Sequence, residues 1–190
     1  LDFNSTGGSF QDIWQGHYQA INRANQALYY LPLLTNANSD LKARLTGEAK
    51  FLRAFSYFIL VRSFGGVPIV DHVPVAGNDA DRAMLLTRKT KEEVYSFIES
   101  DLNAAIAALP QKNAYPTSDI GRASKGAANA LLAKVHLYQK NWQKVIDNCN
   151  LVTGYSLTPN FADIYKVSGE NNAESIFEIQ GKGGASQPGI

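Results

Sequence analysis

Residues 47–58 read GEAKFLRAFSYF, and residues 64–68 close the same segment with FGGVP. The first stretch places Phe51, Phe55 and Phe58 at helical spacing, and further large apolar side chains widen the face that they form. A helix that is apolar over so much of its circumference packs against neighbours on two sides. Two glycines followed by a proline end it. The segment predicts an interior helix over residues 40–64, with Asp40 as its N-cap.

Apolar periodicity predicts further helices on both sides of this one. The first covers residues 11–31 and ends at a proline. A capping box formed by Thr90 and Glu93 opens the next, which runs to Leu109. Ser124 caps a fourth helix, and a fifth runs from Trp142 to about residue 152.

The order of these helices predicts an all-α fold. A two-residue turn at residues 140–141 forces the last two helices into an antiparallel pair. Repeated pairs of this kind are typical of a tetratricopeptide-like stack, here a short right-handed array. Residues 65–89 are expected to be a long connection, residues 161–165 a single helical turn, and residues 175–180 a minor β element near the C-terminus.

Length and composition limit the class of protein. The 190 residues suit one domain, 1–190, with 45% hydrophobic residues and a formal net charge of +1. Lys and Arg are scattered, which disfavours nucleic-acid binding and favours a neutral ligand or a protein partner. Cys149 is the only cysteine and is expected in the core. The chain begins without an initiator Met or a signal region, so a piece of a longer protein is expected.

Residues that carry catalysis or bind metals are not grouped in this sequence. His17, His72 and His136 lie far apart, without partners at ligand spacing. His136 is expected to be structural, and neither a nucleophile elbow nor a phosphate-binding loop is present. The sequence therefore predicts no enzyme activity, no metal and no cofactor.

Glu48 is the acidic residue with two competing interpretations. It lies at the edge of the apolar face of the 40–64 helix, where a lone carboxylate is costly. A structural ion pair with Arg23 or Arg53 is preferred over a catalytic acid, because no second acid or nucleophile lies near it in sequence. Asp101 is expected to be exposed.

Aromatic residues in polar segments are the candidates for ligand binding. Phe3, Phe10 and Tyr115 lie in stretches rich in Asn, Gly and Ser, next to helix starts. Sugar rings stack on exposed aromatic faces, and a neighbouring amide such as that of Asn4 bonds the hydroxyl groups. The alternative for each ring is a cap over the core.

Four blocks of the sequence together resemble the SusD/RagB family. They are WQGHYQAINRAN at 14–25, the segment from residue 47 to FGGVP at 64–68, the helix from 92 to 110, and GRASKGAANALLA at 121–133. The resemblance covers most of the chain, although no single block would suffice for it.

The resemblance implies a helical repeat scaffold without enzymatic activity. It implies a surface lipoprotein of the Gram-negative outer membrane, of the Bacteroidetes type, that captures oligosaccharides for polysaccharide utilisation. The implied partner is a SusC-like TonB-dependent transporter, to which the glycan is delivered. The family's lipidated cysteine is absent from this sequence. The large irregular region that supplies much of the glycan surface is absent too.

A second class of function remains open at this point. A tetratricopeptide-type scaffold can instead bind peptides in a concave groove lined by Asn, Lys and Arg. The sparse basic residues and the irregular connection at residues 65–89 count against this alternative.

Overall fold

The computed structural model of the chain describes residues 8–181. Within that range the backbone forms six α-helices, five 3-10 turns and no strand. The helices are α1 (Ser9–Tyr30), α2 (Ser39–Phe64), α3 (Asp79–Leu86), α4 (Lys91–Ala108), α5 (Lys125–Tyr138) and α6 (Trp142–Asn150). The all-α prediction is confirmed. The β element predicted for residues 175–180 is wrong, because Phe177 packs its ring on Phe51 of α2 and is held by the helices instead of by a strand partner.

The helices stack in the order of the chain, with α3 set aside on the long connection. α1 packs on α2, α2 on α4, α4 on α5, and α5 on α6. Lys140 takes a left-handed conformation (φ 62°) in the short turn between α5 and α6, which reverses the chain as predicted. No helix within residues 8–181 has both the length and the apolar character required to cross a bilayer.

α2 is the central helix of the stack. Phe51, Ala54, Tyr57 and Leu60 are each at most 1% exposed, although their positions point to different sides of the helix. These sides meet α1 and α4, so the prediction of two neighbours for α2 is confirmed.

Side chains cap the helix starts largely where the sequence placed them. Thr90 and Glu93 form the predicted capping box at α4, and the Ser124 hydroxyl accepts a hydrogen bond from the Ala127 N–H at α5. At α2 the cap is Asn38, whose side chain accepts from the Asp40 N–H at 2.7 Å. Asp40 lies inside the first turn instead, where the positive end of the helix dipole stabilises its negative charge.

The connection between α2 and α4 contains a helix that the sequence interpretation missed. α3 occupies part of residues 65–89, and the Asn78 side chain caps it by accepting from the N–H groups of Ala80 and Asp81. Its eight residues expose most of their side chains, so no continuous apolar stripe indicated it.

Residues 66–72, named here the strap, form neither helix nor strand and lie against α1 and α2. Side chains from the two helices satisfy the strap's carbonyl groups. The Tyr18 hydroxyl donates to Pro68 O at 2.7 Å, and the Asn25 amide donates to Val70 O at 2.9 Å and to His72 O at 3.1 Å. A chain without secondary structure is tolerated here because its polar backbone groups have partners.

Arg53 is the buried cation of the fold. Its guanidinium bonds Asp101 of α4 in a bidentate pair, at 2.7 and 2.8 Å, and also donates to Asn25 of α1 at 2.7 Å and to the Asp71 carbonyl of the strap at 2.8 Å. The prediction that Asp101 is exposed is wrong, since the residue is only 3% exposed. A charge among apolar neighbours needs such a partner, which the sequence did not identify.

Cys149 does not lie in the core, contrary to the prediction. It is exposed on α6, on the same face as Trp142 and Ile146, which are 60% and 54% exposed. α6 packs against α5 alone, so the apolar face on its far side has no neighbour within residues 8–181.

We expect Arg53→Ala to lower the free energy of unfolding by about 3–5 kcal/mol, because Asp101 would remain buried without its partner. Arg23→Ala is the matched control: Arg23 is an exposed arginine on α1, and its loss is expected to change stability by no more than about 0.5 kcal/mol. Urea unfolding followed by far-UV circular dichroism measures both. Equal midpoints for the two variants would contradict the central role of Arg53.

Gly66 is expected to tolerate no side chain. A Cβ atom there would collide with the Lys89 carbonyl oxygen, so Gly66→Ala should cost about 1–3 kcal/mol. Gly16→Ala on α1, where the added atom meets no neighbour within residues 8–181, should instead stabilise the 190-residue chain by about 0.5–1 kcal/mol. Thermal unfolding of the pair tests the sign difference, and a stabilising Gly66→Ala would refute the close approach.

Candidate functional site

The proposed ligand-binding aromatics fall at separate places. Phe10 lies in the first turn of α1 and is 44% exposed, which leaves its ring available to a ligand. Tyr115 follows a 3-10 turn and is half-buried. Phe3 and Asn4 lie outside the described residues.

Tyr115 is tied into its surroundings by both ends of its side chain. Its hydroxyl donates to Ala123 O at 2.7 Å, and the Arg44 guanidinium lies 5.5 Å from the ring centroid. Burial raises the pKa of this hydroxyl to about 12, which keeps it protonated as a donor. Tyr115 therefore borders a charged cluster and offers at most part of its ring to a ligand.

The charged cluster beside Tyr115 joins α2 to the loop before α5. Arg44 pairs with Asp119 at 2.6 Å, and Arg122 bonds Glu48 at 2.8 Å and Asp119 at 3.1 Å. Arg44 also lies 3.6 Å from Glu48, one turn along the same helix. Two acids and two arginines alternate in this cluster, so its charges balance.

Glu48 forms an ion pair, but not with the partners suggested by the sequence. Arg53 is five residues away, which is about 140° around the helix, whereas Arg44 and Arg122 reach Glu48 directly. Arg23 is exposed on α1 and appears in no ion pair among the described residues. Arg122 was missed because it is 74 residues away and the loop that brings it to α2 has no periodic pattern.

A large apolar groove, named here the α1–α2 groove, lies along α1 and α2. It encloses about 1110 Å³ between α1 and α2, and residues 177–180 close one end. α1 contributes small side chains such as Ala20 and Ala27, and α2 contributes Leu45, Leu52 and Phe55.

The chemistry of the α1–α2 groove does not suit a sugar. Its lining is mainly apolar, and its charged members include Arg23, Glu48 and Arg122. An oligosaccharide needs several polar partners for its hydroxyl groups. The groove therefore has the character of a packing surface, and it does not include Phe10 or Tyr115.

Exposed aromatic pairs occur at two further places that the sequence analysis did not select. Tyr29 and Tyr30 end α1, are each 60% exposed, and stand edge to face at 5.0 Å. Phe161 and Tyr165 form a second edge-to-face pair at 5.4 Å, with exposures of 69% and 76%. The sequence analysis predicted only that the second pair lies in a helical turn, and spacing alone does not reveal that its rings are exposed.

His72 holds together the loop that follows the strap. Its two ring nitrogens lie 2.6 Å from Asp71 and 2.9 Å from Asp81, whose other oxygen accepts the Val75 N–H at 2.6 Å. Hydrogen bonds to these two carboxylates raise the pKa of His72 above its ordinary value. The backbone N–H of Val75 and the imidazole lower the pKa of Asp81.

The remaining histidines and the acidic residues within residues 8–181 form no metal site. No set of three or more His, Cys, Asp or Glu there is placed to hold a metal ion. His136 is buried, 3.7 Å from Glu99, and burial lowers its pKa. His17 lies on α1 facing the groove. Fold and surfaces together define a helical-repeat protein whose prominent features are surfaces for packing and binding.

Comparison with known proteins gives the family. The model of the SusD-like family, described as starch-binding and associating with the outer membrane, matches residues 2–137. The chain belongs to this family, and the resemblance seen in the sequence blocks is confirmed. SusD-like protein P25 of Formosa agariphila is 30% identical over 90% of this chain and 32% of its own length.

Solved structures of SusD-like proteins superpose on the described fold. One from Bacteroides fragilis has a TM-score of 0.82 and 34% identity, covering 91% of this chain and 34% of its own. A laminarin-binding SusD-like protein has a TM-score of 0.78 and 34% identity, covering 87% and 36%. The chain thus spans about a third of the length of the relatives that it matches.

The His72 loop is expected to depend on pH. A protonated imidazole donates to both Asp71 and Asp81, whereas a neutral one donates to only one of them. Because the folded pKa of His72 is raised, its contribution to stability is full below the unfolded value of about 6.5 and is lost as pH rises through the folded value. Asp81 has a lowered pKa, so its contribution is lost only in stronger acid.

His72→Gln should therefore reduce stability relative to the wild type at pH 5.5, and the difference should shrink by pH 8.5. Urea unfolding at the two pH values measures this. NMR titration adds a direct readout, in which the His72 imidazole titrates above its ordinary value and returns toward it in Asp81→Asn. His136 is the internal control, because burial lowers its pKa and its imidazole should titrate below the ordinary value. An unshifted His72 imidazole would refute the arrangement.

Proposed function

We propose that the chain is the helical-repeat part of a non-catalytic glycan-binding protein of the outer membrane. Membership of the SusD-like family carries this proposal, because the family is described as starch-binding. The laminarin-binding relative at 34% identity extends the ligand class to other neutral glucans. A formal net charge of +1 suits a neutral ligand.

Residues 1–190 form one domain in this proposal. The protein is a surface lipoprotein, anchored by a lipid attached outside these residues, and it hands captured oligosaccharides to a SusC-like TonB-dependent transporter. In this proposal, much of the glycan surface belongs to polypeptide beyond these residues. This suits a chain that spans about a third of the length of its relatives.

The contribution of this chain to the ligand is placed at the start of α1. Phe10 is exposed there and can stack on the apolar face of a sugar ring, while Phe3 and Asn4 come from the same N-terminal segment. Tyr115 is proposed as a separate contact that uses the uncovered part of its ring. Its hydroxyl is already engaged by Ala123.

The described acids support a function without catalysis. Glu48 is paired with arginines, and Asp101 is bonded through both oxygens to Arg53. A glycoside hydrolase needs two carboxylates that face the sugar across a cleft. Neither of these two residues is free to do so.

Phe10→Ala is expected to weaken glucan binding by roughly 3- to 10-fold, because one stacked ring contributes about 0.5–1.5 kcal/mol. Isothermal titration of the full-length protein with laminarihexaose and with maltohexaose measures the change. Phe161→Ala is the control, since it removes another exposed phenylalanine, 69% exposed against 44% for Phe10, far along the chain.

Two results would distinguish a wrong binding site from a wrong function. Unchanged affinity in Phe10→Ala, with intact binding by the wild type, would move the ligand away from α1 but leave glycan capture standing. Absence of binding to any oligosaccharide, together with tight binding of a peptide, would overturn glycan capture itself.

A further inference from the structure

The α1–α2 groove leaves large apolar side chains in contact with water. Leu52 on α2 and Leu34 after α1 are each 47% exposed, and Tyr30 at the groove's end is 60% exposed. Their exposure on one continuous concave surface marks a contact site. The chain's own segment at residues 177–180 covers only one end of this surface, where Phe177 packs against Phe51 and Phe55.

The dimensions of the groove match a short piece of helix. A helix with its side chains is about 10–12 Å across and rises 1.5 Å per residue, so each residue fills roughly 120–170 Å³. The groove's volume of about 1110 Å³ then holds about two turns. Its long walls are themselves helices, α1 and α2, and two packed helices form a natural seat for a third.

We propose that the α1–α2 groove is an internal interface, filled by an amphipathic helix from the part of the same polypeptide that lies beyond residues 1–190. The relatives are about three times as long as this chain, so they contain the polypeptide that such an interface requires. Repeat stacks bury their apolar faces only through neighbours, and α1 lacks a neighbour on its groove side among the described residues.

The charged lining of the groove favours the same occupant. Charged residues of both signs line the groove beside its apolar floor: Asp12 and Arg23 on α1, Glu48 on α2, and Arg122 in the loop before α5. This pattern complements the polar flanks of an amphipathic helix, with its apolar stripe directed inward. A lipid tail would use the floor but not these charges.

A second copy of the chain fits the groove poorly. In a two-fold dimer the same surface meets itself, and two concave grooves facing each other leave the floor of each unfilled. An open-ended contact could place the exposed face of α6 in the groove of the next molecule. That contact would depend on protein concentration, which distinguishes it from an internal interface.

Cysteine labelling of the full-length protein tests the proposal. Leu52→Cys places a thiol in the groove, and Leu85→Cys on α3 is the matched control, because the two leucines have exposures of 47% and 46%. Cys149 and any other cysteine are replaced by serine. We expect a hydrophilic maleimide to label Leu52→Cys at least about ten times more slowly than Leu85→Cys, with no change on dilution.

Equal labelling rates for the two cysteines would overturn the proposal, because the groove would then be open. Protection of Leu52→Cys that disappears on dilution would overturn it in favour of a second copy. A photo-crosslinking amino acid at position 52 identifies the occupant. Crosslinks to residues of the same molecule outside 1–190 support the interface, and crosslinks between copies refute it.

Discussion

The structure depends on one buried cation. Arg53 is fixed by Asp101, Asn25 and the Asp71 carbonyl, and the Phe97 ring lies 4.9 Å from its guanidinium carbon. A buried guanidinium is tolerated only when nearly all of its N–H groups have partners, and here the partners come from α1, α4 and the strap. The charge therefore sets the relative register of three elements around α2. Apolar packing is not directional, whereas the hydrogen bonds of a guanidinium require partners at fixed positions.

This constraint also explains why an irregular chain can lie over the helices. The strap has no ladder or helix of its own, so its carbonyl groups need donors from elsewhere. The side-chain oxygen of Asn25 accepts a hydrogen bond from Arg53, and its nitrogen donates one to the strap. His72 then ties the end of the strap to Asp81 in the first turn of α3. The connection between α2 and α4 is thus an ordered part of the fold, and the exposed imidazole is linked by a few bonds to the buried network.

Periodicity was sufficient for the main elements because each long helix has an apolar stripe of its own. It could not predict contacts that are decided by distant partners. Asp101 looked like an exposed acid because nothing within a turn of it is basic, and Glu48 was joined to the wrong arginine because Arg122 comes from a loop. Cys149 was placed in the core because its spacing is that of a packed helix, but its neighbour is absent among the described residues. The sequence predicted the ligand site less well than the fold, because the exposure of a ring such as that of Phe10 depends on which other parts of the polypeptide cover it.

The two kinds of surface on this chain call for different chemistry. An aliphatic surface such as the α1–α2 groove gains free energy from any partner that removes it from water, so it assembles a fold but selects a ligand weakly. A surface built from an exposed ring and neighbouring amides gains less in total, yet it distinguishes sugars through the directions of their hydroxyl groups. The described residues show the first kind in the α1–α2 groove, and the proposed contact at Phe10 is of the second kind. In the function proposed above, the energetics of assembly and of recognition therefore lie on different residues, so a change at the ligand contact leaves the packing of the helices intact.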